Sequence, residues 1–315
     1  MKNAKQLLAV LGVTSTIAWA GDLNQPMTDV MYGNHIQNQE EDIAMIQTSK
    51  KHKLPRLVSM QTAEVLDSYS LGFAGSGNIY KVFKNFSADG IEGSVNLGLG
   101  DVVELGFEYS ELYNTTSETQ GISEGQIKLQ ALSEGELFPA ISVSFSSNLN
   151  NNFTRPNGIG EETYQMERQR YKLMMSKNFS VGKYDFSIHP ALEMINDEVV
   201  SYEGSEFDNA TMFTKLNPQL GLTWQKSAET VFILENRLVE ISNHKNVDYG
   251  EVEYQDGFET NFAIRFYFRN WLMMDAGIRN TNNLETAKNE TRIHANFTGV
   301  IPLASVGNRI LGWVD

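Results

Sequence analysis

The alternation of apolar and polar residues is clearest in residues 257–280, GFETNFAIRFYFRNWLMMDAGIRN. Phe258, Phe262, Ile264, Phe266 and Phe268 share one face, and Glu259, Asn261, Ala263, Arg265 and Tyr267 share the other. After Arg269-Asn270 the pattern resumes, with Leu272, Met274, Ala276 and Ile278 opposite Asp275, Gly277 and Arg279. Side chains of a strand point alternately to its two faces, so this spacing predicts a hairpin with one apolar and one charged side. Each arm has roughly ten residues, the length of a tilted strand that crosses a bilayer.

The same period recurs along the chain. Alternation begins near Val65, with Tyr69, Leu71 and Phe73 sharing a face, and returns at 91–99, 103–110, 126–131, 141–146, 165–178, 184–193, 215–224, 230–239 and 290–300. The 230–239 stretch is apolar on both faces at its start, so alternation alone does not set which face points inward. Short connections at 100–101, 133–136, 179–182, 226–229 and 269–270 alternate without exception with long ones near 75–89, 111–121, 148–164, 194–210, 240–256 and 280–289. Outer-membrane barrels have short periplasmic turns and longer extracellular loops. Five turns and six loops predict an all-β chain, a transmembrane antiparallel up-and-down β-barrel of about 12 strands with both termini in the periplasm. A soluble β-sandwich also has one apolar face per strand. Against it stand the strand lengths, the alternating loop lengths and aromatics near strand ends (Tyr69, Tyr109, Tyr171, Tyr184, Trp224, Phe268, Trp271), which fit interfacial girdles.

The N-terminus reads differently. Lys2 and Lys5, an apolar run over 7–17 and Ala18-Trp19-Ala20 have the form of a secretory signal peptide over 1–20. Residues 21–61 are expected to form a periplasmic N-terminal segment or a plug, 62–300 the barrel, and 301–315 a C-terminal tail. Charge narrows the partners. The net charge of −14 becomes −16 without the two lysines of the signal. Phosphate backbones need a basic surface, so nucleic acid is not expected. No stretch approaches the 18 apolar residues of a membrane helix, and the mean hydropathy of −0.32 suits a barrel whose strands are half polar. The absence of cysteine excludes disulfides and thiol chemistry.

The pieces TAEVLDSYSLGF (62–73), GLGDVVELGFEYS (98–110) and KLQALSEGELFPAISVSF (128–145) resemble the strand-turn-strand pattern of uncharacterised Gram-negative outer-membrane barrels, including YjbH-like proteins. The resemblance implies a bacterial outer-membrane location, contact with lipid and lipopolysaccharide, insertion by the barrel-assembly machinery, and a link to surface polysaccharide. Many such barrels end in an aromatic residue; here the chain runs on to Asp315, and Phe297 lies in the last strand.

An apolar outer face sends the other face inward. The expected lumen lining is Glu104, Glu108, Lys128, Arg168, Arg170, Lys172, Glu259, Arg265, Asp275, Arg279, Arg292 and His294, with Glu92, Asp185, His189 and Lys215 on the same parity. Walls of both signs suit a pore that sorts small solutes; the other reading is a salt-bridge network that closes a narrow barrel. No H-E-x-x-H, P-loop or nucleophile signature is present, and the acidic loops 195–210 and 243–256 fit no calcium-loop spacing. The sequence therefore leads to a channel or passive porter without cofactor, metal or enzyme activity. The alternatives are a non-conducting barrel associated with polysaccharide export and, last, a lipid-modifying enzyme.

Overall fold

A computed structural model describes residues 56–81, 91–112, 120–150, 152–156, 161–181, 184–203, 205–206, 212–227, 229–242, 254–269 and 271–303. The signal segment 1–20, most of 21–61 and most of the tail 301–315 lie outside them. In chain order the strands are β1 (Ser70–Lys81), β2 (Glu92–Leu99), β3 (Val103–Leu112), β4 (Gln120–Leu132), β5 (Ala140–Asn148), β6 (Asn152–Pro156) and β7 (Glu161–Val181). They continue with β8 (Tyr184–Tyr202), β9 (Ser205–Glu206), β10 (Phe213–Ser227), β11 (Thr230–Ser242), β12 (Tyr254–Arg269), β13 (Leu272–Asn283) and β14 (Asn289–Pro302).

Twelve of these form a closed antiparallel ring; the short β6 and β9 only extend β7 and β8 at the loop end. β1 pairs β14 from Ser70↔Pro302 to Lys81↔Arg292, so the first and last wall strands meet and no edge is left at that join. Register puts the two faces apart cleanly. One outward row runs Ile127, Phe145, Tyr171, Met194, Leu216 across β4, β5, β7, β8 and β10. Phe262, Phe266, Ile278, Ile293 and Phe297 are exposed on the far side of the ring, while Glu259, Arg265, Asp275, Arg279 and Arg292 beside them are buried. Burying the charges and exposing the apolar side chains inverts a soluble fold, and it is what a bilayer-facing wall requires. Near the turn end an aromatic row lies on the outside, with Trp224 5.1 Å from Phe232 and 5.9 Å from Tyr184. Tyr69, Phe268 and Trp271 are exposed at the same end.

The five short turns fall where the spacing predicts them. At Gly100 and Asp101 both φ angles are positive (66° and 58°), the left-handed geometry that tight hairpins use. Strict alternation of loop length fails at β4, where the connections 113–119 and 133–139 are equally long. The last loop, 284–288, is also short, because β13 and β14 stay paired out to Asn282↔Asn289. The stretch 195–202 is strand rather than acidic loop. Two further readings change at the start of the wall. β1 opens at Ser70, and Val65, where alternation begins, belongs to a segment that runs inside the ring.

Candidate functional site: a lumen with a strap at one end and a constriction at the other

Residues 56–67 form a strap across the lumen at its turn end. Arg56 and Gln61 make an isolated bridge, and the Leu57 N–H donates to the Met60 carbonyl at 2.8 Å. This tight turn aims successive main-chain N–H groups one way. The Glu235 carboxylate of β11 receives them: Val58 N at 2.8 Å, Ser59 N at 3.2 Å and Met60 N at 3.3 Å, with the Ser59 hydroxyl at 2.8 Å. Asn261 Nδ2 adds a fifth donor at 2.9 Å. A carboxylate with this many donors can be buried without a cation beside it. From the other side Arg265 holds Asp275 bidentately, at 2.6 and 2.7 Å, and donates from Nη2 to the Leu57 carbonyl at 3.0 Å.

The strap then crosses to the opposite wall. Gln61 donates to Gln126 at 2.6 Å, the Leu66 N–H to Glu104 at 3.1 Å, and Lys128 to the Glu64 carbonyl. The Ala63 N–H donates to Ser176 Oγ at 2.9 Å, and the same hydroxyl lies 2.8 Å from His189 Nδ1. Apolar contacts complete the fit: Leu57 and Val58 pack on Val231, Ile233 and Ala263. That explains the two-faced apolar start of β11. Its inward residues are apolar because they meet the strap, not solvent. Glycine opens the wall where the strap leaves it. A Cβ at Gly98 would lie 2.3 Å from the Asp67 carbonyl oxygen and 2.8 Å from that of Leu66.

Above the strap lies a belt of paired charges. Arg56 reaches Glu92 at 3.2 Å and Glu108 at 3.0 Å; Arg279 meets Glu92 at 2.8 Å; Arg237 meets Glu259 at 2.8 Å. Arg170 pairs with Glu124 at 3.1 Å and Lys172 with Glu193 at 3.2 Å. Arg292 pairs with Glu290, and Lys128 stands 4.0 Å from Glu104. All twelve residues expected on the inner face therefore lie inside the ring. Ten of the twelve have a charged partner in this belt, across Arg265 and Asp275, or at the strap. Arg168 has its partner at the loop end, and neither ring nitrogen of His294 has a hydrogen-bond partner among the described residues.

The loop end is narrowed by the wall itself. Tyr254 and Asp256 of β12 and Glu240 of β11 belong to the outward parity of their strands. Yet they meet inward groups of β7, β8 and β10. Arg168 donates to Asp197 at 2.7 and 2.5 Å and to the Tyr254 hydroxyl at 3.0 Å; that hydroxyl in turn donates to Asp197. Lys215 stands 2.6 Å from Asp256, Asn217 donates to Glu240, and the Phe213 ring packs on Tyr254 at a 45° tilt, 4.7 Å between centroids. The tips of β11 and β12 are thus turned into the lumen. Beneath them Ile122, Phe153, Tyr164, Met166 and Val199 form a buried apolar cluster.

Several of these residues escape sequence reasoning. Asp197 and Tyr254 fall in stretches that read as acidic loops, Glu124 lies before the expected start of its strand, and Glu235 is in the stretch whose register alternation does not fix. The signal that could have found Glu235 is its own position, the first charge on a face that opens with Val231 and Ile233 and goes on to Arg237.

No family model and no curated protein matches the chain. Solved barrels similar to it in fold include LpxR from Salmonella typhimurium, at 7% identity over 73% of this chain and 99% of that one, with a TM-score of 0.46. OmpT, an outer membrane protein of Vibrio cholerae, aligns at 8% identity over 78% and 100% of the two chains with a TM-score of 0.37. A bacterial polysaccharide outer membrane secretin aligns at 12% identity over 76% and 99% with a TM-score of 0.32. The resemblance to YjbH-like barrels accordingly broadens to outer-membrane barrels in general. The expectation of no enzyme activity is corrected by the same finding: the barrels similar in fold include enzymes, LpxR among them, and that expectation is withdrawn.

Proposed function

We infer that this barrel is a gated channel or porter for small solutes, held shut by residues 56–67. The observation that supports the reading is the way the strap is held. A purely structural barrel fills its lumen with side chains of its own wall. Here the filling is a separate segment, and most of its grip is hydrogen bonds from main-chain groups to wall side chains, which water or a solute can replace. The paired charges above it give any path past the strap walls of both signs. In this reading the turn end faces the periplasm.

Planar-bilayer conductance tests the proposal. The intact protein is expected to conduct little, and a variant lacking residues 56–66 to conduct at least about tenfold more, the effect of a closed state favoured by about 1.4 kcal/mol. Heat-modifiable gel migration checks that the variant is a folded barrel. A folded, strapless barrel with unchanged conductance would overturn the reading.

A further inference from the structure

Among the described residues, the longest stretch over which two neighbouring wall strands share no rung lies between β10 and β11. β8 and β10 are paired along their length, out to Phe213↔Asp197, and β11 and β12 out to Ser242↔Tyr254. Between β10 and β11 the last rung toward the loop end is Gln219↔Arg237. The next residue of β10 is Pro218, which has no N–H to offer a ladder. Beyond it, 213–218 of β10 and 238–242 of β11 share no rung among the described residues. What crosses the gap is side chains: Lys215 to Asp256, and Asn217 to Glu240.

This seam opens at the level of the bilayer. Leu216 is half exposed and ends the outward row that begins at Ile127. A groove of about 510 Å³ follows that row and the one below it, from β4 to β10, between side chains such as Leu129, Val143 and Leu173. The lower row reaches Leu192, whose partner is Pro218. Five strands about 4.8 Å apart make the groove about 20 Å long, comparable to an extended acyl chain. Backbone polar groups without ladder partners are tolerated at this depth only where they are buried or line a polar cavity.

We propose that the groove and the seam together bind one bilayer phospholipid with a zwitterionic headgroup. An acyl chain lies along the groove, and the headgroup enters the gap between β10 and β11. There Lys215 meets the phosphate, and Glu240 and Asp256 meet the ammonium group. One cation beside two carboxylates complements a zwitterion and disfavours a purely anionic head. The proposal is independent of conduction.

Photo-crosslinking in nanodiscs tests it, with phosphatidylethanolamine or phosphatidylglycerol carrying a diazirine on one palmitoyl chain. Phosphatidylethanolamine should label β5, β7 and β10 about tenfold more than the equally apolar outer face of β12–β14, a preference of about 1.4 kcal/mol. V143W, which fills the groove, should bring that labelling down to the β12–β14 level while leaving heat-modifiable migration intact. L129W serves if V143W does not fold. Label spread evenly around the ring, equal labelling by the two lipids, or a folded V143W variant labelled like the parent would each overturn the assignment.

Discussion

At the turn end the lumen is filled by residues 56–67, continuous in chain with β1 and held to the rest of the described wall by hydrogen bonds and packing; at the loop end it is narrowed by the inturned tips of β11 and β12. The strap offers main-chain donors and acceptors to wall side chains, as at Glu235, Glu104 and Arg265. The inturned tips offer side chains to side chains, with Arg168, Asp197 and Tyr254 in mutual contact. A closure of the first kind can be withdrawn as one piece, leaving the ring intact. A closure of the second kind cannot move without moving two strands. Under the proposed function, gating falls to the turn end and rigidity to the loop end.

The largest effect expected is from D197A. It leaves Arg168 buried without its bidentate partner, and breaking such a pair costs about 3–5 kcal/mol. Urea unfolding in detergent should show that loss. A loss below about 1 kcal/mol, the range of an exposed pair, would mean that water reaches Arg168 and that the loop-end contacts do not stiffen the wall. E235A comes next. Three main-chain N–H groups and the Asn261 amide lose their acceptor, and strap binding should weaken by about 1–3 kcal/mol. Hydrogen exchange at residues 58–60 should quicken while β11 stays protected. If β11 exchanges along with the strap, the two are one cooperative unit and the contrast between the closures fails. The smallest effect is from P218A, which restores one ladder donor. A gain of about 0.5–1.5 kcal/mol is expected, with slower exchange over residues 238–242. No change there would mean that the inturned tips, rather than the proline, hold the seam apart.

Much of the wall was legible in the sequence because its two demands coincide. A bilayer outside and polar groups inside enforce a period of two, and Phe262, Arg265, Phe266 and Arg279 each announce their face. Turn chemistry did the same at Gly100-Asp101. The strap was not legible, because a segment inside a barrel is shaped by both walls and has no period of its own. Val65 reads as the start of a strand, and only the ring around it shows that it lies inside. The inturned tips were hidden for a related reason. Glu240, Tyr254 and Asp256 keep strand parity while the strands leave the cylinder, so parity no longer says which side is in. Their acidity then reads as a solvated loop. Charge pairing across the lumen joins residues as distant as Glu92 and Arg279 and leaves no local trace.

The partners of Glu235 also bear on the order of assembly. Val58 and Glu235 are 177 positions apart, and Arg265 reaches back 208 positions to Leu57. The strap is made early in synthesis, yet half of its binding surface exists only once β11 and β12 are in place. Contacts of such long range form late, after shorter loops have closed. The segment must therefore stay uncommitted while the hairpins insert and dock as one of the last events. The newly closed ring passes through a stage with an open lumen, whichever state the mature protein favours.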